Sequence, residues 1–144
     1  AMLKPMPAAR ANAAAAAVGG SLYAIGGYAP VSGATFANVD QYDVASDTWV
    51  ALDPMPLPVS RAGGVAAVGK VYVIGGEDEK GVTNAVQVFD PATKKWGRAL
   101  DVPVRIAREG VTLLDGLVYV TGGYDGKKEL NTLFVCHGQF RCHD

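Results

Sequence analysis

No block of like charge runs through this sequence: thirteen Lys and Arg stand against fourteen Asp and Glu, a formal net charge of −1. Nucleic-acid binders draw much of their affinity from a basic face that neutralises phosphates, so nucleic acid is not an expected partner, and an anionic membrane surface is disfavoured for the same reason. Long hydrophobic runs are missing too. The longest apolar stretch, Ala13 to Val18, falls far short of the roughly 20 residues that span a bilayer, so no membrane partner is expected. Lys4 and Arg10 ahead of the alanines imitate a secretion signal, but the segment lines up with later parts of the chain and reads as folded structure. Ala1 before Met2 reads as a remnant of expression.

Cysteine is scarce. Cys136 and Cys142 lie within the last nine residues, so no disulfide framework carries the fold, and a reducing, cytoplasmic setting is the default. The sequence contains no Asn-x-Ser/Thr acceptor, no GxSxG and no HExxH, and its two histidines, His137 and His143, sit at the very end. No catalytic residue, metal or cofactor is expected.

Apolar residues are plentiful, at 49% against 19% charged, enough for one structural unit with buried sheets. The chain is also repetitive. SLYAIGG ends at Gly27, KVYVIGG at Gly76 and LVYVTGG at Gly123, so the glycine doublets Gly26-Gly27, Gly75-Gly76 and Gly122-Gly123 recur at spacings of 49 and 47 residues. After the first two doublets comes a strand ending in an aromatic and Asp, with a tryptophan seven residues beyond the aromatic: Tyr42-Asp43 leads to Trp49, and Phe89-Asp90 to Trp96. Ahead of each doublet stands an arginine, Arg10, Arg61 or Arg108, followed by small or β-branched residues. Arg10 is two residues out of register, and Asn12 holds the position equivalent to Arg61.

Glycine doublet, aromatic, tryptophan and upstream arginine together resemble the kelch-repeat family, whose period is about 50 residues, over nearly the whole chain from about Leu3 to Val135. The expected fold is all-β: three four-stranded antiparallel β-propeller blades covering about 10–52, 61–100 and 108–144, the last with a divergent end. Strands of the second repeat are expected near 63–68, 71–76, 84–90 and 95–99. The doublet glycines, lacking Cβ, should admit a neighbouring blade, and Trp49 and Trp96 should fill the wedge between sheets. Five alanines from Ala13 to Ala17 favour a helix by local propensity, but repeat register predicts a strand there.

Three constellations imitate chemistry. Gly64 to Lys70 fits the start of a phosphate-binding loop, but Val71 stands where that loop needs Ser or Thr. Cys136-His137 and Cys142-His143 are the one metal-like cluster. In register, Cys136 replaces Tyr42 and Phe89 while His143 replaces Trp49 and Trp96, so Cys136 reads as a small buried hydrophobe, with a Cys136–Cys142 disulfide an option in an oxidising compartment. Glu77, Asp78 and Glu79 read as a solvated loop tip.

Function is expected on one loop face, made of Tyr28 to Ala37, Glu77 to Thr83 and Tyr124 to Leu130 together with Asp53 to Arg61 and Asp101 to Arg108. The kelch resemblance implies a protein-interaction module, as in BTB-kelch ubiquitin-ligase adaptors, to which GGYDGKKELN from Gly122 is similar. Arg61, Arg105 and Arg108 would pair with an acidic protein or peptide, and Tyr28 and Tyr124 would add aromatic contact. Against this stands the reading that Arg61 and Arg108 are repeat arginines bonding loop carbonyls. The rival class is a sugar-active enzyme, since kelch propellers include a sialic-acid mutarotase and copper galactose oxidases. Propellers have about 4 to 8 blades, so a three-blade chain is expected to be a homodimer or a fragment of a longer propeller.

Overall fold

In the computed structural model, which describes residues 2–138 and 140–143, the alanine run is a strand. Side chains that small have too little apolar surface for an amphipathic helix face, whereas in β1 (Ala14–Val18) they let the strand lie close to its neighbours. It pairs antiparallel with β2 (Ser21–Ile25), which pairs with β3 (Val39–Asp43), which pairs with β4 (Thr48–Leu52). This meander repeats as β5 (Gly63–Ala67), β6 (Lys70–Ile74), β9 (Val86–Asp90) and β10 (Lys95–Arg98). It repeats again as β11 (Gly110–Leu114), β12 (Leu117–Thr121), β13 (Leu133–His137) and β14 (Arg141–His143). A hairpin of β7 (Glu77–Asp78) and β8 (Gly81–Val82) decorates the middle blade between its second and third strands. The chain is therefore all-β, three four-stranded blades, with β5 lying between β1 and β11 where the blades converge. Among the described residues no helix is long and apolar enough to cross a membrane.

Each junction between blades holds its own apolar core. Between the first two blades lie Tyr23, Ile25, Val39, Met55, Val59, Val71, Val73 and Phe89, with Trp96 packed against them. Between the second and third lie Tyr72, Ile74, Val86, Val102, Ile106, Val120, Phe134 and Phe140. VYVI in β6 is buried on both faces because it serves both cores. The doublets stand just beyond the second strands. A Cβ on Gly26 would run into the carbonyl of Val59, and one on Gly75 into that of Ile106, both from the chain entering the next blade. These glycines make the close approach possible.

The third–fourth strand turns open as expected, with Asp90 Oδ1 accepting from the Ala92 N–H at 2.9 Å. In the first blade the Trp49 indole N–H donates to the Lys4 carbonyl at 3.0 Å, which clips the N-terminal segment to the blade edge. Arg10 is turned away from the loop face; its side chain is fully enclosed in an ion pair with Asp40.

The end of the third blade departs from the sequence expectation. Its turn, residues 138–140, is one residue shorter than 44–47 and 91–94. The shorter turn shifts register, so Cys142 and not His143 lies opposite Cys136, as Trp49 lies opposite Tyr42 and Trp96 opposite Phe89. Cys136 is not a free hydrophobe but is disulfide-bonded to Cys142. The volume lost with the missing aromatics is refilled by Phe140, 3% exposed, whose ring lies 4.7 Å from that of Tyr72. Disulfide and histidines face opposite ways: Cys136 belongs to the inter-blade core, whereas His137 and His143 are exposed, with their Nε2 atoms 3.2 Å apart. The four ligand-type residues therefore do not converge on one point.

Such a disulfide persists in an oxidising compartment, whereas in a reducing one the same residues stand as thiols. Reduction is expected to destabilise the chain by roughly 2 kcal/mol, the loop-closure value for so short a loop. A urea midpoint unmoved by reductant would show that the Phe140 packing suffices without the bond.

Candidate binding site at the blade axis

Three residues at one repeat position, Asn12, Arg61 and Arg108, adopt the left-handed conformation, with φ of 57°, 55° and 62°. Asparagine accepts that region readily; arginine does so at a cost that the surroundings must cover. Here the cover is a chain of hydrogen bonds between blades, in which the Arg61 N–H donates to the Asn12 carbonyl (3.0 Å) and the Arg108 N–H to the Arg61 carbonyl (2.7 Å). The left-handed turn directs both arginine side chains to the mouth of the axis. An open cavity of about 380 Å³ lies there, lined by Asn12, Ala13, Arg61, Ala62, Arg108 and Glu109.

Glu77, Tyr28 and Tyr124 likewise share one repeat position, directly after the glycine doublets. Each pairs through an isolated bridge with the residue just before one of the axial three: Ala11, Ser60 and Ala107. The geometry builds one network. Arg61 lies over the Tyr28 ring, 5.5 Å from its centroid, and Arg108 over the Tyr124 ring at 4.7 Å. Both guanidinium groups meet the same atom, Glu77 Oε1, at 3.2 and 2.9 Å. Tyr28, Arg61, Arg108 and Tyr124 thus come together around a carboxylate that sequence reasoning had assigned to a solvated tip. The Glu77 side chain is only 14% exposed. The signal for it was present in the repeat register: an acid at a position otherwise held by tyrosine, flanked in space by two arginines. The arginine side chains bond this carboxylate and not loop carbonyls.

Arg105 stands apart. It is exposed and donates to the Val82 carbonyl at 2.9 Å, bracing the β7–β8 hairpin beside the axis.

Glu109 was not anticipated. It follows the axial Arg108, and its Oε2 accepts the Gly63 N–H of the neighbouring blade at 3.1 Å. Its Oε1 is buried without a hydrogen-bond partner among the described residues. Burial pushes the carboxyl up to about 7, against the opposing pull of the backbone N–H groups that hold it. The cavity therefore has two cationic walls and a carboxyl that is half protonated near neutrality. Among the described residues no three His, Cys, Asp or Glu side chains come together as metal ligands.

Relatives share this architecture. The profile of the "KLHDC2/KLHL20/DRC7 Kelch-repeats domain" matches residues 12–139. A solved structure titled "Structure of YjhT" superposes with a TM-score of 0.73 at 25% identity, covering 86% of this chain and 37% of that one. This chain thus spans little more than a third of that protein's length. No curated protein sequence matches it.

Proposed function

The chain belongs to the KLHDC2/KLHL20/DRC7 kelch-repeat family, and from that premise we propose that it is a protein-interaction module whose axial loop face receives an acidic segment of a partner protein. The observation that carries this reading is the Arg61–Glu77–Arg108 cluster: two guanidinium groups share one carboxylate, leaving a local excess of positive charge at the cavity mouth. A second carboxylate, supplied by the partner, would balance that charge through the donors Glu77 does not engage. Tyr28 and Tyr124 hold the arginines from behind, so less freedom is lost when a ligand docks. An adaptor role of the BTB-kelch kind, presenting a bound protein to a ubiquitin ligase, would use such a face.

Fluorescence polarisation with labelled acidic, neutral and basic peptides tests this reading. The acidic peptide is expected to bind best, to weaken as salt is raised, and to lose roughly 10- to 100-fold in affinity in the Arg61→Ala, Arg108→Ala double variant, as for a charged hot spot of about 1.4–2.8 kcal/mol. Arg105→Glu, outside the cluster, is expected to have the smaller effect. Equal binding of all three peptides, or an unaffected double variant, would sink the proposal.

One observation favours a second reading, a sugar-active enzyme of the kelch type. Glu109 presents an unpartnered carboxyl oxygen inside the same cavity, poised near 7, the condition for acid–base work at neutral pH. Saturable turnover across a panel of sugars, abolished in Glu109→Gln, would favour it over the binding module.

A further inference from the structure

Both junctions inside the chain are sewn by the same three backbone hydrogen bonds. At the first, the Met55 N–H donates to the Ala37 carbonyl (2.8 Å), the Gly27 N–H to Val59 (3.0 Å) and the Arg61 N–H to Asn12 (3.0 Å). At the second, Val102 donates to Asn84 (3.0 Å), Gly76 to Ile106 (2.8 Å) and Arg108 to Arg61 (2.7 Å). Advancing the pattern by one blade leaves half of it on each open side of the molecule. The third blade offers the Asn131 carbonyl, the Gly123 N–H and the Arg108 carbonyl. The first blade offers, at the matching repeat positions, the Met6 N–H, the Arg10 carbonyl and the Asn12 N–H. None of these six groups has a backbone partner among the described residues.

Sterics agree with this pattern. Gly26 and Gly75 are filled by the incoming carbonyls of Val59 and Ile106, whereas a Cβ on Gly122 would meet only the Leu130 carbonyl, at 3.6 Å. Met55 and Val102, 2% and 1% exposed, plug the two inner junctions, and Met6 stands at the equivalent position. On the open side of the third blade, Leu114 and Leu133 are 56% and 55% exposed at positions held in the first blade by Val18 and Val39, which pack into a junction.

We infer that the two open faces are complementary halves of one further junction, and that a second copy of this chain occupies them, closing a six-bladed ring. Head-to-tail contacts made twice about a twofold axis close upon themselves, which caps both faces and prevents a filament. The ring also completes the axial site. Asn12 of the second copy abuts Arg108 of the first, and the cavity becomes a channel bordered by Arg61 and Arg108 from both copies. This inference does not depend on what the channel binds.

Light scattering on the 144-residue chain across micromolar concentrations reads the outcome directly. Wild type is expected at twice the mass of one chain. Gly122→Ala, whose methyl has room in the single chain but would strike the incoming Arg10 carbonyl, and Leu133→Glu, on the exposed face, are both expected to yield monomers. Far-UV circular dichroism should show their sheet content unchanged, and if one variant fails to fold the other decides. A monomeric wild type, an open-ended series of masses, or a dimer indifferent to both substitutions overturns the inference.

Discussion

Replacing Phe89 by alanine is expected to destabilise the chain by about 3–5 kcal/mol, the range for deleting a large aromatic from a core. Phe89 is fully buried in the junction between the first and second blades, 5.5 Å from the Tyr23 ring and 5.2 Å from the Trp96 ring by centroid. The void left behind could not readily collapse. The two sheets are held at a fixed distance by backbone bonds at Gly27 and Arg61 and by the glycine contacts, so the blades cannot slide together to fill it. Trp96→Ala is the informative companion. That side chain is only half-buried, and its indole N–H has no acceptor among the described residues, unlike that of Trp49. Its loss should therefore cost clearly less than that of Phe89. Urea midpoints for the two variants measure the difference, and a larger loss for Trp96 would show that the wedge, not the buried ring, governs the junction.

Stability is expected to fall as pH rises from about 4.5 to above 7, by about 3 kcal/mol, because of Glu109 alone. Its carboxyl sits at about 7 in the folded chain against an ordinary 4.5, and each unit of difference is worth about 1.4 kcal/mol. Between those values the folded state holds a proton that the unfolded state has released, so the contribution is fully present below 4.5 and is lost as pH climbs through 7. Asp47, held below the usual carboxylate range by the Tyr42 hydroxyl, and Asp125, held there by the Lys128 and Lys127 N–H groups, act in the opposite sense at lower pH. They favour folding only above the ordinary carboxylate value, so their contribution is lost as the solution turns acidic. Glu109→Gln should flatten the neutral limb and leave the acid limb unchanged. If the neutral limb persisted in that variant, the buried oxygen would not be its source.

The kelch fold was legible because its determinants are local and periodic. Glycine doublets, aromatic–tryptophan spacing and Asp-initiated turns recur at fixed distances, and recurrence overrode the helical bias of the alanines before any tertiary contact was known. Tyr28, Arg61, Arg108 and Tyr124 could be picked out for the same reason, as repeat positions bordering the loops. What the sequence left open was how residues from different repeats meet. Glu77 looked like a solvated acid because its two arginine partners lie 16 residues ahead and 31 behind, brought to one oxygen only by the convergence of blades on the axis. Glu109 looked ordinary because its burial comes from Gly63 in another blade. Cys142 took the tryptophan's place through a turn shortened by one residue, and register across a hairpin is fixed by turn length, not by counting along the chain. Periodic sequence determines a blade, since each blade's turns and strand pairs are short-range. The charge, burial and pairing of the axial side chains are long-range quantities, and only the packing of one blade against the next decides them.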